Sequence, residues 1–138
     1  MNKKVLSKIL LCIYFILLIW LVVFKLNFSF EDIHKVRDIN LIPFHYENVI
    51  EGDIPLFEAF LNLVVFVPLG FLLHRAFRWK VVGEILVLAG ISLIFETTQY
   101  ILAIGATDIT DLITNTLGGI IGVCVAVWSL RIKKSKDK

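Results

Sequence analysis

Carboxylates and carboxamides occur inside segments that otherwise read as lipid-facing helix. Glu96 and Gln99 fall in the apolar run 81–103, Asp111 and Asn115 open the run 111–130, and Asn62 lies within 56–73. An Asp at the centre of a membrane helix costs about 2.5–3.5 kcal/mol on insertion scales, less toward the ends. Acids and amides in such positions face the bundle interior and mark sites that bind polar groups or move protons. Glu96 and Asp111 are the candidate acid–base pair. Arg37, Asn40, Asn62, Gln99, Asp108 and Asn115 are the candidate ligand-binding residues, with Arg37 the candidate cation, supplied from outside the spans.

Spacing sorts these residues onto helix faces. Ala89, Ser92, Glu96, Gln99 and Ala103 recur at helical intervals and make one small-or-polar stripe. Asp111, Asn115, Gly118 and Gly122 make a second. Gly118 and Gly122 form a small-xxx-small pair that lets two helix backbones approach closely, so tight packing continues the polar stripe. Asp108 precedes the last run, where an acid caps free backbone N–H groups and meets the positive end of the helix dipole. The alternative to a functional cleft is interhelical glue. It accounts for Asn62, and less well for Glu96 beside Asp111, since two carboxylates at similar depth hold helices together poorly without a cation.

These residues need elements to position them. The chain has 138 residues, 58% of them hydrophobic, and a mean hydropathy of +0.85, which indicates an integral membrane protein. Four runs approach the roughly 20 apolar residues that cross a bilayer: about 9–28, 56–73, 81–103 and 111–130. The second is the shortest. None shows the period-two alternation of a membrane strand. The expected fold is therefore all-α, a four-helix membrane bundle forming a single domain over 1–138. No small-residue cleavage site follows the first run, so it is read as an uncleaved span. Cys12 and Cys124 sit in separate runs without metal-ligand spacing and are expected to be buried small hydrophobes, not a disulfide.

Charge sets the orientation. Lys3, Lys4 and Lys8, then Arg75, Arg78 and Lys80, then Arg131, Lys133, Lys134, Lys136 and Lys138 hold all but three of the 14 Lys and Arg residues. With four spans they share one side, which the bias of basic residues toward the cytoplasm makes the inside. The stretch 30–55 between the first two spans is acidic and falls outside, an extracytoplasmic loop. Both chain ends are expected to be cytoplasmic. The basic tail 133–138 is read as an orientation signal and a frayed end, with contact to anionic lipid as the functional alternative. All the intramembrane polar groups then lie in the outer leaflet. In the outer loop, Pro43 forces Ile42 to be extended. Leu41-Ile42-Pro43-Phe44, followed by His45 and Tyr46, is expected either to anchor the loop in the interface or to cover the cleft. No second histidine has metal spacing with His45, and no metal or cofactor is expected.

The ordered motifs resemble those of VanZ-like membrane proteins. Arg37-Asp38-Ile39-Asn40-Leu41-Ile42-Pro43-Phe44 is similar to the family's outer-loop signature, as is Asn62-Leu63-Val64-Val65-Phe66-Val67-Pro68-Leu69-Gly70. Glu96-Thr97-Thr98-Gln99 matches its E-x-x-Q, and Asp108-Ile109-Thr110-Asp111 with Asn115-Thr116-Leu117-Gly118 matches its D-x-x-D-x-x-x-N-x-x-G. Many members carry an Arg three residues before the first Asp of that motif. Here the position is Gly105, so if that Arg binds an anion in the family, this chain uses Arg37 alone or lacks the function. The resemblance implies a multi-pass protein of the bacterial cell membrane that reduces susceptibility to glycopeptide antibiotics such as teicoplanin. The expected partners are the lipid bilayer and a lipid-linked envelope precursor or lipoglycopeptide in the cleft. One alternative is an intramembrane enzyme on a lipid-linked substrate, with Glu96 as acid or base and Asp108 with Asp111 holding Mg²⁺. A less favoured one is a small proton-coupled exporter, against which the acids lie away from the midplane. No nucleic-acid partner is expected, because the basic residues lie at span ends without a stacking platform. Oligomeric state is left open.

Overall fold

The computed structural model describes residues 2–23, 39–44, 53–102 and 107–136. Four helices dominate: α1 (Lys3–Val23), α2 (Asp53–Phe77), α3 (Val81–Leu102) and α4 (Ile109–Lys136). Each is long and apolar enough to cross a membrane. Two short strands, β1 (Ile39–Asn40) and β2 (Thr107–Asp108), pair in parallel, Ile39 opposite Thr107 and Asn40 opposite Asp108.

α2 and α4 outrun the apolar stretches that announce them. α2 spans 25 residues, not the 56–73 of its apolar run, and α4 stays helical to Lys136, where fraying was expected. Backbone hydrogen bonding does not stop where lipid does, and straight-chain lysines are good helix formers. Asn2 caps α1 by accepting the Lys4 N–H at 3.1 Å. α2 ends where Arg78 turns left-handed (φ 55°) and donates its N–H to the His74 carbonyl at 3.0 Å, closing the last turn. Pro68 sits inside α2 and removes the donor to the Val64 carbonyl. On the next carbonyl, Val65 O, the Tyr14 hydroxyl of α1 donates at 2.6 Å.

α4 packs chiefly on α2, and glycine sets how closely. A Cβ on Gly118 would strike the Leu63 carbonyl, one on Gly122 the Val67 carbonyl, and one on Gly70 the Gly119 carbonyl. The expected small-residue seam is therefore the α2–α4 contact. Beside it lies the apolar core of Leu18, Phe66, Leu69, Leu73, Leu88, Phe95 and Val123. Phe95 stacks on Phe15 and meets Phe66 edge-on, with ring centroids 6.2 and 6.1 Å apart.

One correction concerns the cysteines. Cys12 and Cys124 are both free and exposed, not buried. In a membrane bundle the outer surface faces acyl chains, so an apolar residue gains little from turning inward. The start of α1 and the ends of α2 and α4 share one end of the bundle, where Lys3, Lys4, Arg75, Arg78 and Lys133 surround a common cavity. The β pair and the start of α4 lie at the other.

Candidate functional site

At the end opposite the basic residues, α3 and α4 bury their polar faces. On α3, Ser92, Glu96 and Gln99 are buried with Leu88 and Phe95 along one helical seam. On α4, Thr110, Asp111, Thr114 and Asn115 are buried, followed by Gly118, Gly119 and Gly122. Asn115 has no exposed surface and Glu96 only 3%, so both stripes face the interior.

Asp108 is the hub. Its Oδ1 accepts the Thr110 N–H at 2.7 Å, the expected cap of α4. Its Oδ2 accepts from Asn40 Nδ2 at 3.2 Å. Its own N–H donates to Glu96 Oε2 at 3.2 Å. Asn40 Oδ1 in turn accepts the Ile42 N–H at 3.1 Å. Thr107 Oγ1 donates to the Glu96 carbonyl at 3.3 Å. A continuous hydrogen-bonded run thus joins β1, β2, α3 and α4. One turn deeper, Asn115 Nδ2 donates to Ser92 Oγ at 3.0 Å. Asn115 Oδ1 is buried without a hydrogen-bond partner among the described residues. Such a group costs about 1–3 kcal/mol where water cannot reach it.

The segment 39–44 is tied down over the start of α4. The Phe44 N–H donates to Thr110 Oγ1 at 3.0 Å, and Phe44 holds a left-handed backbone (φ 56°) just after Pro43. That conformation costs an aromatic residue about 1–3 kcal/mol. Leu41, Ile42 and Phe44 are all exposed, at 71, 60 and 53%. The loop's backbone faces the polar cluster while its apolar side chains point away, the arrangement of an interfacial anchor.

Of the residues singled out from sequence, the structure joins Glu96, Asp108 and Asn40 directly, and places Gln99, Asp111 and Asn115 on the same buried faces. Asn62 is half-buried, and among the described residues its side chain makes no hydrogen bond to this cluster. Arg37, His45 and Gly105 lie outside the described residues. Thr107, Thr110 and Thr114 were missed as members. Their signal was available, since threonines around a helix start bond to nearby backbone. Thr114 Oγ1, for example, donates to the Thr110 carbonyl at 2.9 Å. A buried pair at the opposite end was also missed. His74 Nδ1 lies 2.8 Å from Glu84 Oε2, while Glu84 Oε1 accepts the Trp79 N–H at 3.0 Å and shapes the α2–α3 link.

Among the described residues, no three His, Cys, Asp or Glu side chains stand close enough to hold a metal ion together. Both oxygens of Asp108 are already hydrogen-bonded. The arrangement gathers buried amide and carboxylate groups at this end of the bundle.

The VanZ/LLP1 family model matches residues 11–131. This chain belongs to the VanZ/LLP1 family. It is similar to Protein VanZ of Enterococcus faecium, with 42% identity over 125 residues that cover 87% of this chain and 73% of that protein. No solved structure matches it. The matched span takes in the whole hydrogen-bonded run from Asn40 to Asn115 and the glycine seam behind it.

Proposed function

We propose that this protein lies in a bacterial cell membrane with the basic end of the bundle cytoplasmic, and that it reduces susceptibility to glycopeptide antibiotics such as teicoplanin. The polar cluster then opens toward the outside and engages an envelope component or lipid-bearing ligand. Arg37, three residues before Asn40 in the chain, supplies the cation for an anionic headgroup. Gln99 and Asn115 hydrogen-bond it, with Asn62 at the margin. Glu96, Asp108 and Asp111 set the local charge or carry a proton.

One observation carries the reading. Capping α4 needs a single Asp108, yet the same bundle end also buries Glu96, Gln99, Asp111 and Asn115. Helix packing does not require that expense, and intramembrane ionisable groups are by default functional. Family membership supplies the antibiotic context.

The test is a Glu96→Gln replacement in cells whose teicoplanin susceptibility depends on this protein, at matched membrane levels. Susceptibility should return to that of cells lacking the protein. Unchanged protection would remove the cluster from the mechanism.

A further inference from the structure

The basic end of the bundle holds a cavity of about 410 Å³. Lys3 and Lys4 reach it from α1, Arg75 from α2, Arg78 from the turn after α2, and Lys133 from α4. No carboxylate of the described residues lines it. The bias of basic residues toward one side explains why such residues flank the spans. It does not explain why Lys4, Arg75, Arg78 and Lys133, from three helices and a turn, converge with Lys3 on one hollow, where the like charges of those four repel unless an anion sits among them. The first turn of α1 adds the positive end of its dipole. The volume falls in the range of ligand sites, about 300–1,000 Å³, more than a bare inorganic ion fills.

We propose that this cavity binds the phosphate-bearing headgroup of an anionic phospholipid. Phosphate is the shared chemistry, and the surroundings favour a lipid over a soluble anion. Leu130 lines the cavity beside the cations. Leu6 and Ile132, on the same turns of α1 and α4, face outward at 39 and 37% exposure. A headgroup among the cations leaves its acyl chains along that apolar flank. Basic pockets between membrane helices on the cytoplasmic side bind such headgroups. The site lies at the opposite end of the bundle from the proposed ligand cluster, and it rests on the proposed membrane orientation but not on that cluster's role.

Native mass spectrometry tests this on the full chain released from mixed phosphatidylglycerol and phosphatidylcholine. The wild type should retain phosphatidylglycerol selectively. Replacing Arg75→Gln with Lys133→Gln should cut that retention about tenfold, two charges each being worth on the order of a few-fold near an anionic headgroup. Removing the same charge outside the cavity, with Lys134→Gln and Lys136→Gln, should leave it near wild type. Charge-preserving Arg75→Lys should keep most of it, which separates lost binding from lost folding. Equal losses in both double variants, or equal retention of phosphatidylcholine, would overturn the site. Displacement of the lipid by millimolar inorganic phosphate, with phosphate itself retained, would assign the cavity to a soluble anion and overturn the lipid reading.

Discussion

Asp108 does two jobs with one carboxylate, and the two can be separated. Oδ1 caps α4 through the Thr110 N–H, and Oδ2 receives the Asn40 amide from β1. Asp108→Ala should destabilise the bundle by about 0.5–2 kcal/mol, the usual worth of an N-cap. Asp108→Asn should keep most of that stability, since an amide oxygen also caps. Thermal unfolding of the purified variants decides it, and equal losses would show that the cap is not the stabilising element. This residue was legible in the sequence because an acid just ahead of an apolar run has a local meaning. Its pairing with Asn40 was not. A two-residue parallel contact between positions 68 apart leaves no periodicity to read. The buried His74–Glu84 pair was hidden for a different reason: each residue sits at a helix end and looks like an ordinary polar flank.

At the scale of elements, hydropathy located the four helices, and the Gly118–Gly122 spacing foretold a close approach. It did not name the partner. That partner is α2, whose Leu63 and Val67 carbonyls lie directly against the two glycines. Gly118→Leu should therefore push α2 and α4 apart and cost at least about 1–3 kcal/mol, because the obstacle is backbone and cannot rotate away. Gly83, which has open space where a Cβ would stand, is the matched control, and Gly83→Leu should be neutral or slightly stabilising. A chemical-denaturation series in detergent would show the contrast. Similar stability in the two variants would contradict the seam. Helix ends and the outward-facing cysteines were less legible. An all-round apolar helix carries little information on which face it turns to lipid, and a lipid boundary is not a helix boundary.

Over the whole molecule, charge and polarity divide the bundle into two ends. Basic side chains from α1, α2 and α4 gather around one cavity, and buried acids and amides from α3 and α4 gather with the tethered loop at the other. That division was readable in the order of basic flanks along the chain. Which polar groups would touch was not, since it depends on helix rotation. The central claim is that the acid–amide end works on a ligand and does more than hold helices together. Asn115→Ala tests it most directly, with thermal stability and teicoplanin susceptibility measured on the same variant. Interhelical polar bonds in membranes average about 0.6 kcal/mol and reach about 1.7, so losing the Ser92 contact should leave the bundle folded and inserted. Asn115→Ala should give a folded protein that no longer protects. Full protection with unchanged stability would contradict it.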